Sequence, residues 1–248
     1  MKIDFHVHTN ISPCSDMSLK DAVRTAINNG LSGIAICNHN TVFLKSDIPY
    51  ELEEEFNIKI NPNDICENAF YIIPGIEISS NGNHFLGLFI ENKVESISEL
   101  KQSGALVVFA HPFEHSFDYQ KRLNAIIIYI TDIDLIETHS GRANYKNKTA
   151  VSQATTFSDS FGINKCAGSD AHFTHEIGNA WAEFDNSVFG LDEIKNALLN
   201  GDATFYQKNC KRIDIAKSQI VKHGYNFKTI AYYLYSFIRD LGDKLCQR

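Results

Sequence analysis

The chain has no long hydrophobic run. Ala125–Ile130, unsurpassed in length, is strand-sized and far short of the ~20 apolar residues that a membrane-spanning helix needs. Proline is sparse, at 5 residues, and no low-complexity tract or internal repeat occurs, so the sequence gives no sign of a flexible linker or a repeat array. There is no C-x-x-C pair. The six cysteines, at positions 14, 37, 66, 166, 210 and 246, are scattered, which in a chain this long reads as reduced thiols in a cytoplasm. Met1–His8 lacks the apolar stretch of a cleavable export signal and supports the same cytoplasmic expectation. Positive charge is in deficit: 23 Lys and Arg against 30 Asp and Glu give a net charge of −7. That balance argues against a nucleic-acid coat, whose affinity rests on neutralising phosphates, but leaves room for a local basic rim around a phosphate site.

What is present is an ordinary globular composition, 44% apolar and 21% charged over 248 residues. A chain of this size buries roughly 70–75% of its unfolded surface, enough for a sizeable core. Short apolar runs alternate with helical stretches. The runs are Lys2–Phe5, Gly33–Cys37, Phe70–Ile76, Ala105–Ala110, Asp134–Thr138 and Asn164–Gly168; the predicted helices are Ser18–Asn29, Ser96–Ser103, Gln120–Ile128 and Lys146–Phe161. This alternation implies parallel β/α units in a closed barrel or doubly wound sheet. Ser80-Asn81-Gly82-Asn83 predicts a hairpin joining Tyr71–Ser79 to His84–Ile90. From Leu191 onward only helices are expected: Leu191–Asn200, Ile213–His223 and Phe227–Leu245. In the last, Phe227, Ile230, Ala231, Leu234, Phe237, Ile238 and Leu241 recur at helical spacing, a face expected to dock on the barrel or, alternatively, to bind a partner.

Histidine is the unusual component, at 10 residues, and six of them fall at the carboxyl ends of predicted strands. The ends read His6-Val7-His8, Asn38-His39-Asn40, Gly75-Ile76-Glu77, Ala110-His111-Pro112, Glu137-Thr138-His139 and Gly168-Ser169-Asp170-Ala171-His172, with His84 opening the hairpin's second strand. In β/α barrels this end of the strands carries the active site. Imidazole with carboxylate suits Zn, Mn or Fe. In H-x-H and D-x-H on a strand, residues i and i+2 point to one side and can reach one ion. So many donors exceed one ion's needs, so two or three divalent metals are implied, with Glu77 as the natural bridge.

In this order the motifs resemble the polymerase-and-histidinol-phosphatase (PHP) family of metal-dependent phosphoesterases. The likeness runs over roughly residues 1–200: H-x-H-T, a D-H-N-like turn, G-x-E, a hairpin His, A-H-P and S-D-A-H. It implies a distorted seven-stranded β/α barrel with a helical C-terminal extension. It also implies a di- or trinuclear site of Zn, Mn or Fe. Carried over by motif, the ligands are His6, His8, Glu77, His111 and Asp170, with His39, His84 and His172 completing a third ion's set. Similar members hydrolyse small phosphomonoesters, nucleotides or short oligonucleotides.

The chain departs from the family pattern at three places. An Asp or His ligand usually follows the second His by five or six residues. Here those positions are Pro13 and Cys14, with Asp16 just beyond. Asp16 or Cys14 completes the site, or the position is empty; Asp16 alternatively caps the following helix. Asn38 stands where Asp is commoner and is expected to orient the neighbouring imidazole without adding charge. Glu137-Thr138-His139-Ser140 replaces a pattern ending E-x-x-Asn, His or Cys, so His139 is taken as the ligand with Ser140 as the alternative.

Arg142 is expected to take phosphate bidentately, and His175, just past S-D-A-H, to line the site with His172. His115 is either a proton donor or a surface loop residue, and His223 reads as a basic helix terminus. Lys208, Lys211, Arg212, Lys217, Lys222 and Lys228 make the tail basic, as a solvated face or as a guide for a polyanion at the active-site mouth. The expected division is a barrel over residues 1–202, with 203–248 packed on it and not independent. The expected function is phosphoester hydrolysis by a metal-bridging hydroxide. Its rivals are a TatD-like deoxyribonuclease or amidohydrolase-type barrel, and a non-catalytic module of the same fold. The substrate is a phosphorylated small molecule, nucleotide or short oligonucleotide; the terminal helix offers a route to an oligomer or protein partner.

Overall fold

A computed structural model describes residues 1–114, 118–145 and 147–246, so His115 lies outside the described residues. Strand β1 (Lys2–Val7) opens the chain and pairs in parallel with β2 (Gly33–Ile36) across helix α1 (Leu19–Asn28), which Ser18 caps by accepting the Asp21 amide. Helix α2 (Glu51–Phe56) and the two-residue β3 (Lys59–Ile60) lead into β4 (Ala69–Ser80), which lies parallel to β2. β5 (Asn83–Leu88) returns antiparallel through Asn81 and Gly82, at φ 50° and 72°, the left-handed pair that a tight hairpin needs.

After α3 (Ile97–Gln102), β6 (Leu106–Ala110) is antiparallel to β5. Helix α4 (Tyr119–Ile126), β7 (Leu135–Ser140), α5 (Ala150–Phe161) and β8 (Asn164–Gly168) then restore the parallel β/α rhythm. β9 (Ala180–Glu183) pairs with the start of β1, α6 (Gly190–Asn200) follows, and β10 (Thr204–Gln207) pairs with β9. Helices α7 (Arg212–His223) and α8 (Phe227–Cys246) complete the described chain.

The ring runs β1-β2-β4-β5-β6-β7-β8. A bridge between Val7 and Ala171, with His8 N donating to Ala171 O at 2.9 Å, brings the chain after β8 back to β1. The result is a nearly closed, distorted β/α barrel, as expected. Alternate strand residues fill it: Ile3 and Phe5, Ala35 and Cys37, Ile73, Leu86 and Leu88, Leu106 and Val108 are all buried in one cluster. Each large side chain of this kind contributes roughly 1.5–3 kcal/mol when fully buried. Two further clusters lie between the strands and the surrounding helices.

Two irregularities in the strands aim the site. The β1–β2 register shifts between Asp4 and Val7, and Val7 packs outward with Ala22 and Val23 of α1. His6 and His8 are left on the inner side, beyond Phe5. The β7–β8 register shifts between Glu137 and His139, which breaks the i, i+2 rule by which those two residues would share a face.

The structure corrects the expectation of helices alone after Leu191. Thr204–Gln207 alternates exposed and half-buried residues as a short edge strand, so the sheet continues past residue 203. It also overturns the docking of α8 through its apolar stripe. Phe227 is 87% exposed, Leu234 54% and Ile238 67%. Instead Thr229 and Ser236 are buried, and the Asp240 carboxylate accepts the backbone amides of Arg212 and Ile213 at the start of α7. That polar attachment fixes the rotation of α8 and turns the apolar stripe outward. Among the described residues no helix is long and apolar enough to cross a membrane.

Candidate metal centre

Glu77 stands at the middle of the barrel mouth. It is 1% exposed, and neither carboxylate oxygen has a hydrogen-bond partner among the described residues. Five imidazoles surround it. His39 Nδ1 and His84 Nδ1 each lie 2.8 Å from one of its oxygens, His8 Nε2 and His111 Nε2 at 3.4 Å, and His6 Nε2 at 3.7 Å. None of these five contacts with Glu77 is a hydrogen bond among the described residues. A buried, unbonded carboxylate costs several kcal/mol unless a cation meets it.

The distances carry the signature of a shared ion. Donor atoms about 2.0–2.1 Å from one zinc-like ion, at roughly tetrahedral or right angles, stand ~2.9–3.4 Å apart. His6 Nε2 and His8 Nε2 face each other at 3.1 Å, and Asp170 Oδ1 lies 3.2 Å from His8 Nε2 and 3.7 Å from His6 Nε2. With Glu77 Oε2 these atoms outline one coordination set. Glu77, His84 and His111 outline a second, and Cys14, His39 and His172, with His8 beside them, a third. The donor chemistry therefore fits divalent ions of the Zn, Mn or Fe type.

The ring nitrogens are oriented from behind. His6 Nδ1 meets Glu137 Oε1 at 2.9 Å, His8 Nδ1 meets Ser12 Oγ at 3.3 Å, and His172 Nδ1 meets the Asp170 carbonyl at 2.8 Å. Each contact leaves Nε2 turned toward the cluster, the arrangement by which an outer partner fixes a ligating tautomer. Glu137 Oε2 also accepts the His111 amide at 2.9 Å. His111 and Asp170 have φ of 27° and 54°, left-handed values that ordinary residues adopt at a cost and that cluster at functional sites. Gly168 is required by close approach: a methyl there would stand 2.3 Å from His6 Cβ.

Electrostatics follow from the crowding. Burial opposes ionisation of Glu77 and Asp170, yet the neighbouring imidazoles, His6 foremost, hold both carboxyls well below the usual range. Burial likewise disfavours charge on His39 and His111, but Cys14 and Glu77 raise His39 to about 10, and Glu77 and Glu114 raise His111 to about 9. His8 is pushed down to about 4, chiefly by burial.

The structure sorts the expected residues. His6, His8, His39, Glu77, His84, His111 and His172 are brought together, with Asp170 beside His6 and His8, and His84 joins Glu77 and His111 rather than His39 and His172. Cys14, 4% exposed, reaches the third set, whereas Asp16 is exposed and neither joins it nor caps α1. His139 is turned away by the shift in β7: its Nδ1 meets Thr138 Oγ1 at 2.9 Å and its ring stacks on Phe205. Ser140 is buried, with its hydroxyl unpartnered among the described residues. Asn38 makes no side-chain hydrogen bond to an imidazole among the described residues; its Oδ1 accepts the Thr9 amide at 2.9 Å.

Arg142 lines the cavity, but its guanidinium forks onto Glu176 at 3.0 and 2.6 Å and reaches Ser218 Oγ at 2.8 Å. Glu176 in turn accepts the His172 and Phe173 amides, so Arg142 holds the loop that carries Asp170 and His172. His175 turns from the cavity to pair with Asp214 of α7 at 2.8 Å. The placement of Glu137 behind His6, the role of Glu176 and the presence of Ile215, Ser218 and Gln219 of α7 at the cavity were missed. The alternation Leu135, Glu137 was the available signal for the first, since both share the inward side of β7. The cavity itself measures about 390 Å³ and is closed on one side by Ile215, Ser218, Gln219 and Lys222 of α7.

Comparison with known proteins agrees with this geometry. The PHP domain model matches residues 4–119 and the PHP-associated model residues 148–203. An uncharacterized protein of Methanocaldococcus jannaschii is 25% identical over 196 residues, covering 74% of this chain and 70% of its own. Among solved structures, a candidate metal-dependent phosphoesterase from Bifidobacterium adolescentis has a TM-score of 0.52 at 16% identity, over 80% of this chain and 96% of that one. An amidohydrolase from Chromobacterium violaceum has a TM-score of 0.56 at 12% identity, over 82% and 97%. The lesion-specific endonuclease of Pyrococcus furiosus has a TM-score of 0.51 at 17% identity, over 82% of this chain and 57% of that one. These structural likenesses speak for the fold. The two family models follow one another along the chain and together span more than half of it, with the H-x-H, G-x-E and A-H-P motifs inside the first and S-D-A-H inside the second: the chain belongs to the PHP family.

Proposed function

We propose that this chain is a metal-dependent phosphoesterase acting on phosphomonoesters, nucleotides or short oligonucleotides. The observation that carries the reading is Glu77, a buried carboxylate that has no hydrogen bond among the described residues and is ringed by five converging imidazoles. In this reading His6, His8, Glu77 and Asp170 hold one ion, Glu77, His84 and His111 a second, and Cys14, His39 and His172 a third. When bound, such ions supply Lewis acidity and bring the pKa of a shared water toward neutrality.

The chain's own groups do the rest. Glu137 and Ser12 keep the His6 and His8 rings in register, and Glu176 with Arg142 fixes the loop bearing Asp170 and His172. Lys222 also lines the cavity, so a phosphate there meets a positive charge besides the imidazoles. That cation favours a phosphorylated substrate over a neutral amide. The test is a small phosphoester panel assayed on protein stripped by a chelator and then reloaded with Zn, Mn or Fe. Hydrolysis that appears only on reloading supports the reading; hydrolysis of amides but not phosphoesters overturns it.

A further inference from the structure

Helix α8 is 20 residues long, yet none of its described residues belongs to the three apolar clusters of the chain. Polar groups seat it instead. Asp240 accepts the first amides of α7, and the Tyr232 hydroxyl meets that of Tyr145. A helix in a protein draws most of its stability from packing an apolar face, and α8 leaves that face in water.

The face has the form of a seam. Phe227, Ile230, Leu234, Phe237 and Leu241 follow one another at spacings of three and four, with Ile238 beside them. That is the a/d pattern of one helix laid along another, kept for two heptads. No charged residue interrupts it, and the small Ala231 and Gly242 on its border let a second helix approach. The six seam residues are 43% to 87% exposed, and Tyr235 on the flank is 56% exposed. Together they present on the order of 700 Å² of largely apolar surface. This exceeds the ~300–600 Å² of the largest patch on an ordinary monomer and approaches the ~800 Å² that each partner gives to a stable interface.

The occupant that fits is a second copy. A two-fold axis sets one patch against itself, so the patch must not repel its own image, and an uncharged seam meets that condition. An anionic lipid surface fits less well. The chain carries a net charge of −7, and within residues 227–242 only Lys228 and Arg239 are basic. We infer that α8 is a dimerisation helix: two copies of the chain pair along the Phe227–Leu241 seam, with Phe227 and Phe237 as aromatic anchors. Thr229 and Tyr232, which line the space between α8 and α7, lie on the other side of the helix, so the pairing covers the side of α8 away from the metal cavity.

Sedimentation velocity on the full, metal-loaded chain from about 1 to about 100 µM tests it. The mass should reach twice the chain's 27.9 kDa at the upper end, with a dissociation constant of ~10 µM or tighter. Leu234→Glu and Ile238→Glu should each weaken pairing by ~100-fold or more, because each would bury an unpaired charge at the seam. Both positions are over half exposed in the single chain, so circular dichroism should show folded monomers. Ile128→Glu, at an equally exposed position (68%) outside α8, should leave the dimer intact. In the unaltered chain, hydrogen exchange at amides 227–241 should slow as concentration rises, a readout that needs no variant. A single-chain mass throughout, a dimer that persists in both seam variants, loss of pairing in Ile128→Glu, or exchange indifferent to concentration overturns the inference. So does a monomer that binds phosphatidylcholine vesicles through the same stripe, which would assign α8 to a lipid surface.

Discussion

Alanine at Glu176 removes the carboxylate on which the Asp170–Phe173 loop hangs. Glu176 is fully buried and its partner Arg142 is 5% exposed; contacts of 3.0 and 2.6 Å join them. The same carboxylate accepts the amides of His172 at 2.9 Å and Phe173 at 3.1 Å. Removing one partner of a buried pair costs about 3–5 kcal/mol, because the remaining charge is stranded away from water. That is a large share of the roughly 5–15 kcal/mol by which a protein is stable. At ~2–4 °C per kcal/mol for a chain of this size, the melting midpoint should fall by roughly 6–20 °C. Circular dichroism melts of metal-free protein measure it, with Glu176→Gln expected to fall less because its shape and one acceptor remain. Arg142→Ala should show a comparable loss. Shifts under ~2 °C in both alanine variants would refute the loop-anchoring role. A raised KM in Arg142→Ala with stability intact would return that residue to the phosphate contact expected from its position.

Cys14→Ser should lower metal affinity by at least ~10-fold while Asp16→Asn leaves it unchanged, as read by elemental analysis after dialysis. Glu137→Gln should weaken metal binding by ~10–100-fold through its loss of charge behind His6, whereas His139→Ala should spare metal content and cost about 0.5–1.5 kcal/mol of stability from its stack on Phe205. Burial opposes ionisation of Asp214, but His175 and Lys217 hold its carboxyl below the ordinary range. A depressed carboxyl gives stability that is fully present above the unfolded value of about 3.9 and is lost as pH falls through the folded one. Urea denaturation from about pH 5 to about pH 3 should therefore show a smaller acid loss in Asp214→Asn than in the unaltered chain.

Most of the site was legible because the donors sit at strand ends, where the β/α rhythm fixes their direction. His6, His39, Glu77, His111 and Asp170 needed only that rule. His139 was misplaced because a single register shift in β7 reverses the side on which residues face, and a bulge leaves no mark in hydrophobic alternation. Asp16 was a more familiar metal ligand than Cys14, but a single residue, Ser15, separates an exposed side chain from one in the cluster. The orientation of α8 was not legible at all. Periodicity finds an apolar face, but the contacts that seat the helix are polar ones from Asp240 and Thr229. The basic run pointed Lys222 to the mouth, but the part that Ile215 and Gln219 play there was hidden, since they carry no motif and gain meaning only from their place over the barrel mouth.

The central claim is that the converging imidazoles and Glu77 hold a cluster of divalent ions. Elemental analysis of purified chain, reloaded after chelation and dialysed, tests it most directly. The account predicts about two to three equivalents of Zn, Mn or Fe per chain, reduced in His111→Ala and His172→Ala while both variants remain folded by circular dichroism. Less than about half an equivalent in the unaltered chain, or unchanged metal content in both variants, would contradict it.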